Sequence, residues 1–267
     1  MFAFLRRPRR ALAAICVLAF AGPSYGQSPA PAPAPQAAAP AAASLPTAQS
    51  ILDRHVEAVG GRKVLSALKS IHTVGAMTIP ANGMSGSIEV FAARPNKMLA
   101  KTTIAGIGEI SEGFDGTHSW SISPMTGPML ATGEELVQKA FDADFDGPLN
   151  VAARYTSIKT LEKTTFDGRP CYKLSMVRKD GGEDIEFYDV ATGLKAGSIV
   201  SRKSPMGTVT ATSTISEYKK FGPLMQPSLM KQSTTGVEIV TTFSVVEYDA
   251  VAPETFEPPA VIKALIK

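Results

Sequence analysis

The chain has 267 residues, 44% of them hydrophobic and 19% charged, which is enough to bury a core and excludes a wholly disordered polymer. Its formal charge of +3 falls to −1 without Arg6, Arg7, Arg9 and Arg10, since 23 basic residues then face 24 acidic ones. Without a basic excess, binding to nucleic acid by counterion release is excluded.

In chain order, residues 1–26 read as a secretory signal peptide. Arg6–Arg10 is cationic, 11–21 is apolar, and Ser24 and Gly26 stand three and one before a cut that leaves Gln27 first. The apolar run is about half the roughly 20 residues a membrane span needs, and no later segment replaces it. A periplasmic or secreted protein with no transmembrane segment after processing is expected. Removal of Cys16 leaves Cys171 as the only cysteine, so no internal disulfide can form. Cys171 lies in an apolar alternation and reads as a buried structural thiol. Residues 27–48 are almost entirely alanine and proline, an extended linker.

The folded domain is expected over 49–267. Thr47 or Ser50 can cap a helix bearing Ile51, Leu52, His55, Val56 and Val59, with Gly60-Gly61 at its end and His55 as a packing residue. A short helix with Val64, Leu65 and Leu68 follows. From residue 70 the period becomes two, and twelve strands are predicted: 71–79, 86–93, 97–105, 108–113, 118–123, 156–165, 171–178, 184–189, 195–203, 208–218, 224–233 and 237–248. Turns such as Asn82-Gly83, Asp115-Gly116, Asp167-Gly168 and Thr235-Gly236 separate them, which predicts an antiparallel meander. Between the fifth and sixth strands lies a helical insert with Leu136, Val137, Ala140 and Phe141 on its apolar face, and a short helix near 149–153. The fold class is therefore α+β, a mostly antiparallel curved sheet, in effect an incomplete β-barrel, with helices closing its concave side.

Catalytic patterns are missing from the sequence. His55, His72 and His118 are scattered with no metal-binding spacing, and there is no G-x-S-x-G elbow, dinucleotide fingerprint or P-loop. Asp142-Ala143-Asp144-Phe145-Asp146-Gly147 resembles the opening of a calcium loop, but the twelfth position is Ala153 where a glutamate should close the shell; the run is read as a solvated helix end. Glu183, Asp184, Glu186 and Asp189 read as a solvated strand face. No cofactor or metal is expected, and no enzyme is required.

Nine methionines remain beyond Met1, most in or beside strands, as suits an adaptable apolar surface. The residues expected to bind an apolar ligand are Met77, Met98, Trp120, Met125, Met129, Met176 and the helix face Leu136, Val137, Ala140 and Phe141. Trp120 is expected at the cavity rim, and 124–147 is expected to form a movable cover drawn from the less stable part of the fold.

Five strings extend over nearly all of 49–259: His55–Gly61, Gly113–Trp120, Phe166–Tyr172, Phe187–Leu194 and Phe256–Pro259. In order and spacing they resemble exported bacterial proteins with the fold of the lipoprotein carrier LolA and its receptor LolB. The resemblance implies an incomplete barrel closed by helices over an apolar cavity, a container for acyl chains, with sensors and lipid binders among related members. No one position matches the carrier's functional arginine; Arg94, before Pro95, is a candidate by strand order only. The folded part, about 220 residues, is longer than the usual carrier, so lipid or other apolar-ligand binding takes precedence over lipoprotein transport. Three functions follow as alternatives: a non-catalytic holder of a lipid or acylated protein, an envelope sensor or scaffold that binds another protein, and a hydrolase using scattered acids and His118.

Overall fold

The structure, a computed structural model, describes residues 44–204 and 207–266. The expected signal segment, the linker up to residue 43, and Met206 lie outside the described residues. The first helix, α1 (Ala48–Val59), starts where Thr47 accepts a hydrogen bond from the Ser50 amide at 3.2 Å, satisfying one of the open N-terminal donors. It buries Ala48, Ile51, Leu52 and Val56 and ends at Gly60, whose φ of 140° and close approach to Leu224 leave no room for a side chain. The short α2 (Arg62–Ala67) follows.

The strands are β1 (Ser70–Ile79), β2 (Met84–Ala93), β3 (Lys97–Ile104), β4 (Gly108–Phe114), β5 (Ser119–Ser123), β6 (Gly127–Ala131), β7 (Tyr155–Phe166), β8 (Arg169–Arg178), β9 (Glu183–Asp189), β10 (Lys195–Ser204), β11 (Gly207–Phe221), β12 (Leu224–Thr234) and β13 (Val237–Tyr248). They form one open, curved, antiparallel sheet in the order β6-β5-β4-β3-β2-β1-β13-β12-β11-β10-β9-β8-β7. The chain begins at the centre and meanders outward to the β6 edge. A strap made of α3 (Gly133–Asp142) and α4 (Val151–Arg154) then carries it to the opposite edge, from which it meanders back until β13 pairs with β1. The sheet has one strand more than the twelve expected. Gly127 and Pro128 read as loop punctuation, but β6 is an edge strand, where a proline lacking an N–H costs no ladder bond. This ordered pairing replaces the first part of the expected movable cover.

Side chains alternate between the two faces, and the register assigns each one. Met98 lies opposite Ala92 and Phe114 on the inner face, which carries α1, α3 and α4; Leu99 lies opposite Phe91 and Gly113 on the outer face. On the inner face α1 packs Ile51 and Leu52 with Leu174, Met176 and Tyr188. On the outer face the chain's last segment, with the 3-10 turn Pro253–Phe256 and α5 (Ala260–Lys263), packs Phe256 and Ile262 onto Leu99 and Trp120. A second outer cluster holds fully buried Cys171 with Phe187 and Ala196, under the stacked rings of Phe166 and Phe187. Among the described residues no helix is long and apolar enough to cross a membrane.

Candidate functional site

Curvature of the sheet, α1 and the strap together line a half-open cavity of about 420 Å³ on the inner face. Its apolar wall comes from Leu52 of α1, Ile71 of β1, Ala92 of β2, Met98 of β3, Val151 of α4 and Met176 of β8. Its polar end is built by β9 and β10 together with His55 and Tyr155. Strand alternation places Asp184, Glu186 and Tyr188 on the face shared with Leu174 and Met176, so these acids point inward rather than into solvent.

Glu186 is 13% exposed and accepts a bond from Lys195 Nζ at 2.6 Å and another from the Tyr188 hydroxyl. Burial pushes its carboxyl up, but the Lys195 charge and the hydrogen bonds from Lys195 and Tyr188 outweigh that and hold it below its ordinary value. His55 packs edge-on against Tyr188, with ring centroids 5.2 Å apart, and its Nδ1 lies 3.3 Å from the Gly193 carbonyl oxygen. Burial, then the Lys195 charge, lowers its pKa to about 4, so the ring is neutral at neutral pH. Burial, followed by the nearby carboxylates, pushes the Tyr155 and Tyr188 phenols up and keeps them protonated. A deeper network joins this end: Asp184 accepts from Arg178 and, at 2.7 Å, from Arg202.

The strap closes the cavity through ion pairs. Asp142 meets Arg202 at 3.1 Å, Asp144 meets Arg154 at 2.8 Å, and Asp146 meets Arg94. Arg94 also donates to the Leu68 and Leu65 carbonyls at 2.6 and 3.0 Å, tying the strap to the end of α2. The alternating aspartates, read in sequence as a solvated helix end, therefore each hold an arginine: Asp142 and Asp146 reach Arg202 of β10 and Arg94 after β2, while Asp144 ties the strap to its own α4 through Arg154. The segment 142–147 thus carries ion pairs that its local sequence does not show.

The expected ligand residues divide sharply. Met98 and Met176 stand in the cavity wall, and Phe141 backs it through an edge-on contact with the wall residue Tyr155 at 5.6 Å. Met77 is buried on the same face, six positions along β1 from Ile71 and outside the wall. Leu136 and Ala140 are half-buried on α3, also outside it, while Val137 is 62% exposed because its turn of the helix faces away from the sheet. Met125 at 74% and Met129 at 47% exposure stand at the open β5–β6 edge, where no further strand covers them. Trp120 is not at a rim. It is 2% exposed on the outer face, lies flat over Gly113 and is covered by Phe256 and Ile262. His118, the histidine of the hydrolase alternative, braces the β4–β5 turn by contacting Asp115 at 3.2 Å, apart from the cavity wall.

Sequence reasoning missed Tyr155, Glu186, Tyr188 and Lys195 as wall residues. The available signal was the alternation of Glu186 and Tyr188, but only pairing with β8 shows that this face is the apolar one.

No protein-family model matches the chain, and no curated protein matches it in sequence. Solved structures do match. A LolA superfamily protein from Nitrosomonas europaea superposes with a TM-score of 0.54 at 15% identity, covering 80% of this chain and 99% of that one. A DUF1329 family protein from Desulfovibrio piger does so with a TM-score of 0.53 at 13% identity, covering 79% and 97%. At these identities the likeness is one of fold, and the chain has the incomplete-barrel fold of the LolA superfamily.

Proposed function

We propose that the protein is an exported, non-catalytic binding protein that holds an acylated or similarly apolar ligand between its curved sheet and its helices. The observation that carries this reading is the cavity itself. Its volume of about 420 Å³ falls within the range of small-ligand sites, and its wall combines apolar side chains with charged ones from the strap, β9 and β10 that are paired with one another or with Arg202. An apolar chain entering it leaves water for Leu52, Ile71, Met98 and Met176, and the unbranched methionines adapt to chains of different shape. The inward polar groups are engaged in ion pairs and hydrogen bonds with one another, an arrangement suited to orienting a ligand rather than to attacking it. A role in lipid or lipoprotein trafficking across the envelope fits the leader expected from the sequence and the shared fold.

Uptake of the uncharged dye N-phenylnaphthylamine, with native mass spectrometry of protein purified from its own host, tests the reading. Saturable fluorescence enhancement that falls when Met98 and Met176 are replaced by charged residues, together with a co-purifying lipid, is the expected result. Protein that stays free of lipid and does not bind the dye refutes it.

A further inference from the structure

The cavity wall is rich in charge yet has none to spare. Its five charged side chains are each half of an ion pair: Asp142 with Arg202 at 3.1 Å, Asp144 with Arg154 at 2.8 Å, and Glu186 with Lys195 at 2.6 Å. The remaining titratable groups, His55, Tyr155 and Tyr188, are neutral at neutral pH.

Hydrogen-bonding capacity does remain at this end. Lys195 carries three N–H donors and gives one to Glu186, whose second oxygen is taken by Tyr188. The Gly193 carbonyl can only accept, so His55 carries its proton on Nδ1 and its Nε2 is left as an acceptor. The far end, at Ile71, Ala92 and Met98, offers apolar contact.

The geometry points to a ligand whose head group is uncharged, an acyl ester with a hydroxyl of the monoglyceride type, seated on Lys195 and His55 with its chain running toward Met98. This rests on the binding function proposed above and narrows it to neutral amphiphiles. An ionised carboxylate would compete with Glu186 for Lys195 and bring an unmatched charge into a half-buried site, and an ammonium head would find no free carboxylate. An ester carbonyl accepts from Lys195, and a hydroxyl donates to His55 Nε2, without disturbing either ion pair.

Displacement of N-phenylnaphthylamine from the mature protein at about pH 7.5 by monoolein, oleate and oleylamine, which share one chain, tests this. Monoolein is expected to displace the dye at a concentration at least about tenfold lower than either ionised amphiphile. Glu186→Gln keeps the shape of the wall and releases the charge of Lys195, so the ratio of oleate to monoolein affinity is expected to shift about tenfold toward oleate. Oleate equal to or better than monoolein on the unaltered protein overturns the proposal, as does a ratio unmoved in a Glu186→Gln variant that circular dichroism shows to be folded. Should that variant not fold, the order on the unaltered protein decides alone. Dye that does not bind at all overturns the binding function as well, which separates the two failures.

Discussion

Trp120 is the chain's single tryptophan, and its ring lies over Gly113 on the face opposite the cavity. Its emission should therefore be that of a buried indole and should not shift when a ligand fills the cavity; a ligand-dependent shift would contradict this placement. A Cβ at position 113 would fall inside the contact distance of the ring. Gly113→Ala is expected to cost about 1–3 kcal/mol in urea unfolding, as overpacked cores do, and to red-shift the emission. His55 supplies a second residue-scale test. Its pKa drops from 6.5 to about 4 on folding, through burial first and the Lys195 charge second. Above pH 6.5 neither state is protonated and stability is at its full value. Between 6.5 and about 4 the unfolded chain takes up a proton that the folded one refuses, so stability falls as pH falls, by up to about 3 kcal/mol. Urea midpoints at about pH 7.5 and about pH 4.5 should differ less for His55→Asn than for the unaltered protein. Equal differences would show that His55 does not resist protonation.

The strap is the element that sequence reasoning described least well. Helix α3, its acidic first turn and the alternating Asp142, Asp144 and Asp146 were all legible, because each depends on local spacing. Their partners were not, since Arg94 and Arg202 are separated from these aspartates by about half the meander and come near only when the sheet curves. The same limit hid β6, where Gly127 and Pro128 mark a turn by local rules but tertiary pairing makes an edge strand. It also placed Glu186 in solvent by its polarity, although its register opposite Leu174 puts it on the apolar face. By contrast the other twelve strands and their turns followed from a two-residue period and from pairs such as Asp167-Gly168, both with positive φ. If the ion pairs fix the strap, Asp144→Ala with Asp146→Ala should speed hydrogen exchange across 133–154 and lower global stability by only about 1 kcal/mol, since these pairs are partly solvated. Exchange that stays as slow as in the unaltered protein would assign the hold to packing of Phe141 on Tyr155 instead.

At the scale of the whole molecule, the sheet is two meanders, 70–131 and 155–248, each continuous in sequence, and the two halves of the chain are joined three times without the strap. The first join is the β1–β13 ladder, which runs from Ile71 opposite Tyr248 to Thr78 opposite Val240. The second is the chain's last segment, which leaves the second meander and buries Phe256 and Ile262 on Leu99 and Trp120 of the first. The third is α1, which precedes the first meander and packs Ile51 and Leu52 on Leu174, Met176 and Tyr188 of the second. A backbone cut in the strap removes none of these joins. It raises only the entropic cost of bringing the two halves together, because they become separate chains whose association depends on concentration. A protease site inserted between Pro148 and Asn150, cleaved after folding, should leave a nicked protein that elutes as one species at micromolar concentration, keeps the buried emission of Trp120 and unfolds at a midpoint that rises with protein concentration. Deleting residues 250–267 from the nicked protein removes only the second join and should uncover and red-shift Trp120, while the β1–β13 ladder and α1 keep the halves together. If the nick alone exposes Trp120 or separates the halves, the strap rather than the central ladder, α1 and the closing segment holds the sheet together.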